Sequence, residues 1–188
     1  MLEEKFNRPI DEWEVEGDTL PRIHDRSEDA NGYERKVLRA IQAAEADGCS
    51  SVAIVVDRDR TEGRQRLAQL QAGRTKAEQQ GEALAERTAI GVAIETVEAW
   101  LLADEQALNQ ALRLAPPVGA LPAPEGLDGR AKTERHPKVV LRKLIEQQRS
   151  GVDAPYDEIA ERVQLEVLEQ RCSGGFATFA EEVRRRCE

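Results

Sequence analysis

The sequence predicts an α/β fold: a mostly parallel sheet flanked by helices, followed by a helical C-terminal part. Three observations lead there. Val52-Ala53-Ile54-Val55-Val56 is a short aliphatic run rich in β-branched residues, the composition of a strand buried on both faces. Ala89-Ile90-Gly91-Val92-Ala93-Ile94 is a second such run. Between them, residues 62–86 are dominated by Arg, Gln, Glu, Ala and Leu, which favour a long helix. Strand, helix and strand in this order form a βαβ unit, whose strands are parallel because the connection is a crossover.

The remaining elements follow from periodicity and punctuation. Ile10 to Gly17 reads as a short strand, with Trp13 and Val15 alternating with acids, and Asp25 to Gly32 as a polar loop. Tyr33 to Ala46 carries a helical stripe at Val37, Leu38, Ile41 and Ala44, ended by Asp47-Gly48. Gly73 and Gly81 are possible interruptions of the helix within 62–86. Glu95 to Leu114 reads as one helix with Val97, Leu101, Leu102 and Leu108 on its apolar side. Residues 115–130 hold four prolines and three glycines and must form a loop. Helices are then expected from Pro137 to Gln148, from Tyr156 to Gln170 and, after the Gly174-Gly175 break, from Phe176 to Arg186. This gives an α/β core over 1–114, a Pro/Gly-rich loop over 115–136, and a helical part of the same domain over 137–188.

With 188 residues the chain is long enough for one domain with a sizeable core. Aromatics are only 4% of the residues, so that core must be built mainly from Leu, Ile, Val and Ala. A formal net charge of −9 argues against nonspecific nucleic-acid binding over the whole surface, though not against a local basic groove. No stretch approaches the roughly 18 apolar residues of a membrane span, and Met1-Leu2-Glu3-Glu4-Lys5 lacks the apolar core of a signal peptide. Cys49, Cys172 and Cys187 show no CxxC spacing, which argues against structural zinc and a disulfide framework. A Cys172–Cys187 bridge is the one pairing considered, and a reducing cytoplasm is the expected location.

The chemistry is expected where the parallel strands end, because ligands of open α/β sheets bind beyond the carboxyl ends of the strands. Asp57 and Asp59 follow the first strand and Glu95 follows the second, with Glu98 one helical turn further on. Four converging carboxylates repel one another unless a cation holds them, and Mg²⁺ takes hard oxygen ligands while keeping several waters. The alternatives are a solvated turn for the aspartates, a helix N-terminal acid for Glu95, and a surface partner for Glu98. Lys132-Thr133-Glu134-Arg135-His136-Pro137-Lys138 either holds a phosphate near the metal or is an ordinary charged loop. His136 precedes a proline, so it should be extended, at a helix start. Arg58, Arg60 and Arg64 either contact phosphate or balance charge, and Arg184-Arg185-Arg186 reads as a solvated helix end. There is no GxxxxGK[ST] loop, GxSxG elbow or HExxH helix, so ATP hydrolysis by the chain alone is not expected.

Two segments carry a family resemblance. Val-Ala-Ile-Val-Val-Asp-Arg-Asp, and then Ile94-Glu95-Thr96-Val97-Glu98-Ala99-Trp100-Leu101-Leu102-Ala103-Asp104, resemble an uncharacterised bacterial family of TOPRIM-related proteins. That family carries a DxD strand and an ExxEAWLLAD segment, and is related to the TOPRIM domains of overcoming-lysogenization-defect nucleases. His136-Pro137-Lys138 is similar to its later hPK element, and Gly175-Phe176-Ala177-Thr178-Phe179 to its closing helix. The resemblance implies a TOPRIM-like, Rossmann-like core with Asp57 and Asp59 as ligands of Mg²⁺ or Mn²⁺, joined by Glu95 and Glu98. The family opens with a strand ending in an EG motif whose Glu is the proposed general acid or base. Here Met1 to Phe6 resembles the end of the helix after that motif, so the family's first strand is expected to be missing. Glu16-Gly17-Asp18-Thr19 is the local match, which makes Glu16 a candidate catalytic residue beside Lys138.

Three functions fit these residues. One is a Mg²⁺-dependent, nuclease-like phosphodiester enzyme on nucleic acid, or a degenerate relative. Another is a non-catalytic interaction module that partners an ATPase, since members of that family resemble components encoded beside ATPases in phage-defence-like loci. The third is metal-dependent hydrolysis of a small nucleotide under the Pro/Gly-rich loop.

Overall fold

The computed structural model describes residues 32–58, 63–126, 134–147 and 155–187. Its elements are α1 (Gly32–Ala46), β1 (Val52–Asp57), α2 (Gly63–Gln80), β2 (Thr88–Ala93), α3 (Glu98–Leu101), α4 (Glu105–Leu112), α5 (Pro137–Glu146), α6 (Pro155–Ala160), α7 (Leu165–Arg171) and α8 (Phe176–Cys187), with short 3-10 turns at Ala83–Ala85 and Pro124–Gly126. The predicted α/β class is what the chain adopts: β1 and β2 pair in a two-stranded sheet, and helices dominate the rest. Val52 N–H donates to Arg87 C=O at 3.0 Å and Arg58 N–H to Ala93 C=O at 2.9 Å, so the strands advance in the same direction, as a βαβ crossover requires. The expected strand at Ile10–Gly17 and the loop from Asp25 lie outside the described residues.

The described residues form two compact units, one within 1–54, 64–90 and 182–188 and the other within 55–63 and 91–181. In the first unit, α1 buries Val37, Ile41 and Ala44, as its stripe predicts, while Leu38 is half-buried. The helix ends where Cys49 N–H reaches back to Ala44 C=O at 2.9 Å around Gly48, whose φ of 76° suits a residue without a side chain. On α2 the buried positions are Arg66, Leu70, Gly73, Arg74 and Ala77, one helical stripe in which two members are arginines. Arg74 donates to Glu182 at 2.6 Å and to Thr88 C=O at 3.2 Å, and Arg66 lies over the Tyr33 ring at 3.8 Å. Gly73 does not interrupt α2. A Cβ there would lie 2.5 Å from Glu34 O and 2.8 Å from Val37 Cβ, so glycine lets α1 approach. Gly81, at φ 83°, is where the helix stops.

The core of the second unit gathers Trp100, Leu102, Leu108, Leu112, Leu141 and Ile159 among its buried residues. Trp100 meets Phe176 edge-on at 5.2 Å and stacks on Phe179 at 5.9 Å. Three expectations are corrected. β1 is not buried on both faces: Val52 is buried, Ala53 is exposed and the rest are half-buried, whereas β2 is buried along nearly its whole length. Glu95 to Leu114 is not one helix. Glu95 has φ 65°, α3 is a single turn, and Asp104 is extended and caps α4 by accepting from Gln106 and Ala107 N–H at 3.0 Å. Tyr156 to Gln170 is likewise two helices, because Gln164 is extended and its N–H bonds Asp104 Oδ2 at 3.1 Å. One buried aspartate therefore breaks both runs.

The Pro-rich segment is a loop, as its composition requires, and side chains hold it in place. Asn109 exchanges hydrogen bonds with Val118, donating at 2.9 Å and accepting at 2.7 Å. Arg171 pairs with Glu105 and donates to Leu121 C=O at 2.6 Å, while Leu121 N–H donates to Glu105 at 2.9 Å. All three cysteines are free, so the Cys172–Cys187 bridge considered from the sequence is not formed. Among the described residues no helix is long and apolar enough to cross a membrane.

Two predictions follow from this packing. Gly73→Ala lowers stability by about 1–3 kcal/mol in urea denaturation, although alanine is the better helix former, because overpacking outweighs helix propensity. Burial pushes the Glu105 carboxyl up, but Arg171 and the Leu121 amide pull it down further, leaving it below the ordinary value of 4.5. A depressed carboxylate contributes stability that is present above its unfolded value and lost as pH falls through its folded one. Melting temperatures scanned through the carboxylate range should therefore fall less steeply for Glu105→Gln than for the wild type. That variant is the weaker at neutral pH and converges on the wild type in acid.

Candidate functional site

Parallel pairing sets the ends of β1 and β2 side by side, about 5 Å apart. Asp57 is the last residue of β1, and its Oδ1 accepts the Val97 N–H at 2.9 Å. Its Oδ2 lies 3.2 Å from Lys138 Nζ, and Glu98 Oε2 lies 4.0 Å from the same ammonium. Glu98 is the first residue of α3, and Lys138 is in the first turn of α5, which packs against α3. The local sequence explains how Lys138 arrives. His136 is extended, as expected before Pro137, and its Nδ1 accepts the Lys138 N–H at 3.2 Å, so a histidine caps α5 with proline at its first position.

Glu95 goes elsewhere. It accepts from Arg58 Nη2 at 2.5 Å, and its side chain is 13% exposed against 37% for Arg58. Its backbone sits at the centre of a three-residue turn closed by Thr96 N–H to Ile94 C=O at 3.0 Å. With φ 65° this is the rarer, strained form of the γ-turn, and a non-glycine residue held there costs about 1–3 kcal/mol. Glu95 is thus a turn residue and not the helix N-terminal acid considered from the sequence. The next residue, Thr96, is 6% exposed, and its hydroxyl has no hydrogen-bond partner among the described residues.

Of the six candidates named from the sequence, three therefore meet (Asp57, Glu98 and Lys138), and Glu95 stands beside them in a pair with Arg58. Asp59 and Glu16 lie outside the described residues, as do Arg60, Lys132 and Thr133. Among the described residues no group of three or more His, Cys, Asp or Glu is placed to hold a metal ion. The donors that do converge are hard carboxylate oxygens, and two suffice for an ion that keeps several waters. Lys138 is half exposed, and exposed ion pairs contribute only about 0–1 kcal/mol, so this cluster adds little to stability.

Sequence reasoning missed Glu125. Its carboxylate accepts from Gly174, Gly175 and Phe176 N–H at 3.0, 2.9 and 3.3 Å, the start of α8, and from the Trp100 indole at 3.2 Å. A negative group at a helix N-terminus is favoured by the orphan amides and the dipole. The Gly174-Gly175 pair was the only signal in the sequence; a Cβ on Gly175 would lie 2.5 Å from Glu125 Oε1. Arg184, Arg185 and Arg186 end α8 as expected, but Arg186 is partly buried and bonds Glu182 at 2.6 Å.

The class the fold defines is α/β, a small parallel two-stranded sheet flanked by helices. The chain belongs to the family described as domain of unknown function DUF4276, whose model matches residues 19–184. No curated protein and no solved structure matches it.

Glu125→Ala removes charged hydrogen bonds from the buried Gly175 and half-buried Phe176 amides, as well as from the exposed Gly174 amide, and should lower stability by about 2–3 kcal/mol in urea denaturation followed by tryptophan fluorescence. Glu125→Gln, which keeps an acceptor, should lose about half of that.

Proposed function

We propose that this chain is a cytoplasmic, Mg²⁺- or Mn²⁺-dependent phosphodiester enzyme of the TOPRIM-like kind, acting on nucleic acid. The observation that carries this reading is the convergence of Asp57 and Glu98 on Lys138 Nζ at the end of β1, at 3.2 and 4.0 Å. The resemblance of the DxD and ExxEAWLLAD segments supports it, and the hydroxyl of Thr96, which has no partner among the described residues, fits a site that carries ordered water or an ion.

Asp57 and Glu98 would hold the cation, with Asp59 as the family pattern implies. A bound divalent ion supplies Lewis-acid polarisation of a phosphoryl oxygen and a water of lowered pKa. Lys138 neutralises part of the negative charge at the site and is placed to donate to a phosphate oxygen as charge builds there. The Val97 amide holds Asp57 Oδ1, so the carboxylate is oriented before any ligand arrives. Glu16 is the proposed general acid or base.

A second reading, a non-catalytic module partnering an ATPase, is favoured by one observation. Arg58 neutralises Glu95 and Lys138 bridges Asp57 and Glu98, the self-satisfied charge pattern of a site kept for structure.

Calorimetric titration with Mn²⁺, alongside cleavage of a supercoiled plasmid and of single-stranded DNA, tests both readings. Asp57→Asn keeps an acceptor for Val97 N–H and so keeps the fold. It should weaken Mn²⁺ binding by more than the ~10–100-fold typical of changes to groups that only support a ligand. Cleavage should be lost in Lys138→Met and on chelation. Equal Mn²⁺ affinity in Asp57→Asn sinks the site assignment, and metal binding without cleavage of any substrate selects the second reading.

A further inference from the structure

Arg58 stands between the two aspartates of the DxD run, where neither aliphatic packing nor strand propensity asks for an arginine. Its backbone N–H extends the parallel pairing by one step, to Ala93 C=O at 2.9 Å, so the start of its side chain is fixed by the sheet. Among the described residues its guanidinium makes one side-chain hydrogen bond, from Nη2 to Glu95 at 2.5 Å. The side chain nonetheless remains 37% exposed. A guanidinium has five N–H donors in a planar fork, so one carboxylate oxygen leaves most of them available. Glu95 makes this contact from a left-handed backbone, φ 65°, that only a well-determined turn sustains in a residue with a side chain. The turn, the ion pair and the strand end together hold one cation at the end of β1, and among the described residues most of its donors have no partner. Charge balance alone needs neither a fixed guanidinium nor a strained turn.

We propose that Arg58 is the residue that recognises the phosphodiester oxyanion of a nucleic-acid strand at this site, and that Glu95 is the positioning residue that holds it. The assignment rests on the reading of Asp57 and Glu98 as a cation site, and it takes Glu95 out of the ligand set that the sequence suggested. Arginine suits the task because its planar fork meets two phosphate oxygens at once, whereas lysine offers a point charge. Holding the fork in advance spares the ordering cost of a long side chain on binding.

The test uses the full-length protein and a short fluorescein-labelled single-stranded oligonucleotide, with binding followed by anisotropy over a salt series and Mn²⁺ binding followed by calorimetry. Arg58→Ala should weaken oligonucleotide binding about tenfold, the scale of one charge-assisted contact. It should also reduce the slope of log K against log[salt] by about 0.7, the value for one phosphate contact on a single strand. Arg58→Lys should recover the slope but only part of the affinity. Glu95→Asp keeps the charge and shortens the arm, so affinity should drop severalfold at unchanged slope, which loss of charge would not produce. Glu95→Gln should still bind Mn²⁺.

An unchanged slope and affinity in Arg58→Ala, with Mn²⁺ binding lost in Asp57→Asn, overturns this inference and leaves the cation site standing. Loss of Mn²⁺ binding in Glu95→Gln also overturns it, because Glu95 is then a ligand. Failure of the wild type to bind either Mn²⁺ or the oligonucleotide overturns the inference together with the reading beneath it.

Discussion

The parallel pairing of β1 with β2 is the constraint on which the described architecture depends. It is short, and its last hydrogen bond, Arg58 N–H to Ala93 C=O, sets where both strands stop. Asp57 leaves the sheet on one side of that bond, and on the other the chain turns sharply through Glu95 toward α3. Because parallel strands require a crossover, the long helix α2 is obligatory between them, and its buried stripe must be accommodated. Pairing in the other direction would set the end of one strand beside the start of the other, and Asp57 would no longer meet Val97, Glu98 and Lys138.

Charge, more than aromatic bulk, ties the elements together. Arg74 joins α2 to Glu182 of α8, and Arg171 binds Glu105 and the backbone at Ala103 and Leu121. These arginines bond backbone carbonyls as well as carboxylates, so each substitutes for a large apolar side chain while satisfying groups that would otherwise be buried without partners. For Glu182, burial raises the carboxyl, but hydrogen bonds from Arg74, Arg185 and Arg186 outweigh it and hold the group below the ordinary range. The few aromatics are concentrated instead, with Trp100, Phe176 and Phe179 in mutual contact beside Glu125. Burial pushes the Cys172 thiol up to about 12, so this cysteine acts as a small core hydrophobe and not as a nucleophile.

At the proposed site the same economy has a different meaning. Asp57 and Glu98 face one lysine that is half exposed, and pairs of that kind stabilise a fold only slightly. The turn at Glu95 holds a left-handed backbone in a residue with a side chain, and strain of this kind clusters at ligand-binding and switch positions.

Much of this was legible in the chain. Val37, Ile41 and Ala44 announce α1 by their spacing, the runs at 52–56 and 89–94 announce the strands, and the DxD and ExxE segments mark the strand ends. Those are local patterns, set by the 3.6- and 2-residue periods of backbone geometry. Other features were not local. Asp104 caps α4 and also binds Gln164 N–H, sixty positions away, so its break in two helical runs depends on a contact between distant segments. Gly73 reads as a helix breaker until α1 lies against it, and Glu125 reads as a loop acid until the start of α8 supplies its donors. Sequence by itself determined the fold class, the order of most elements and which carboxylates stand at the strand ends, because periodicity and the crossover rule need no partner. Tertiary structure decided that Glu98 meets Lys138 while Glu95 meets Arg58, because the φ 65° turn directs two acids three residues apart to different cations.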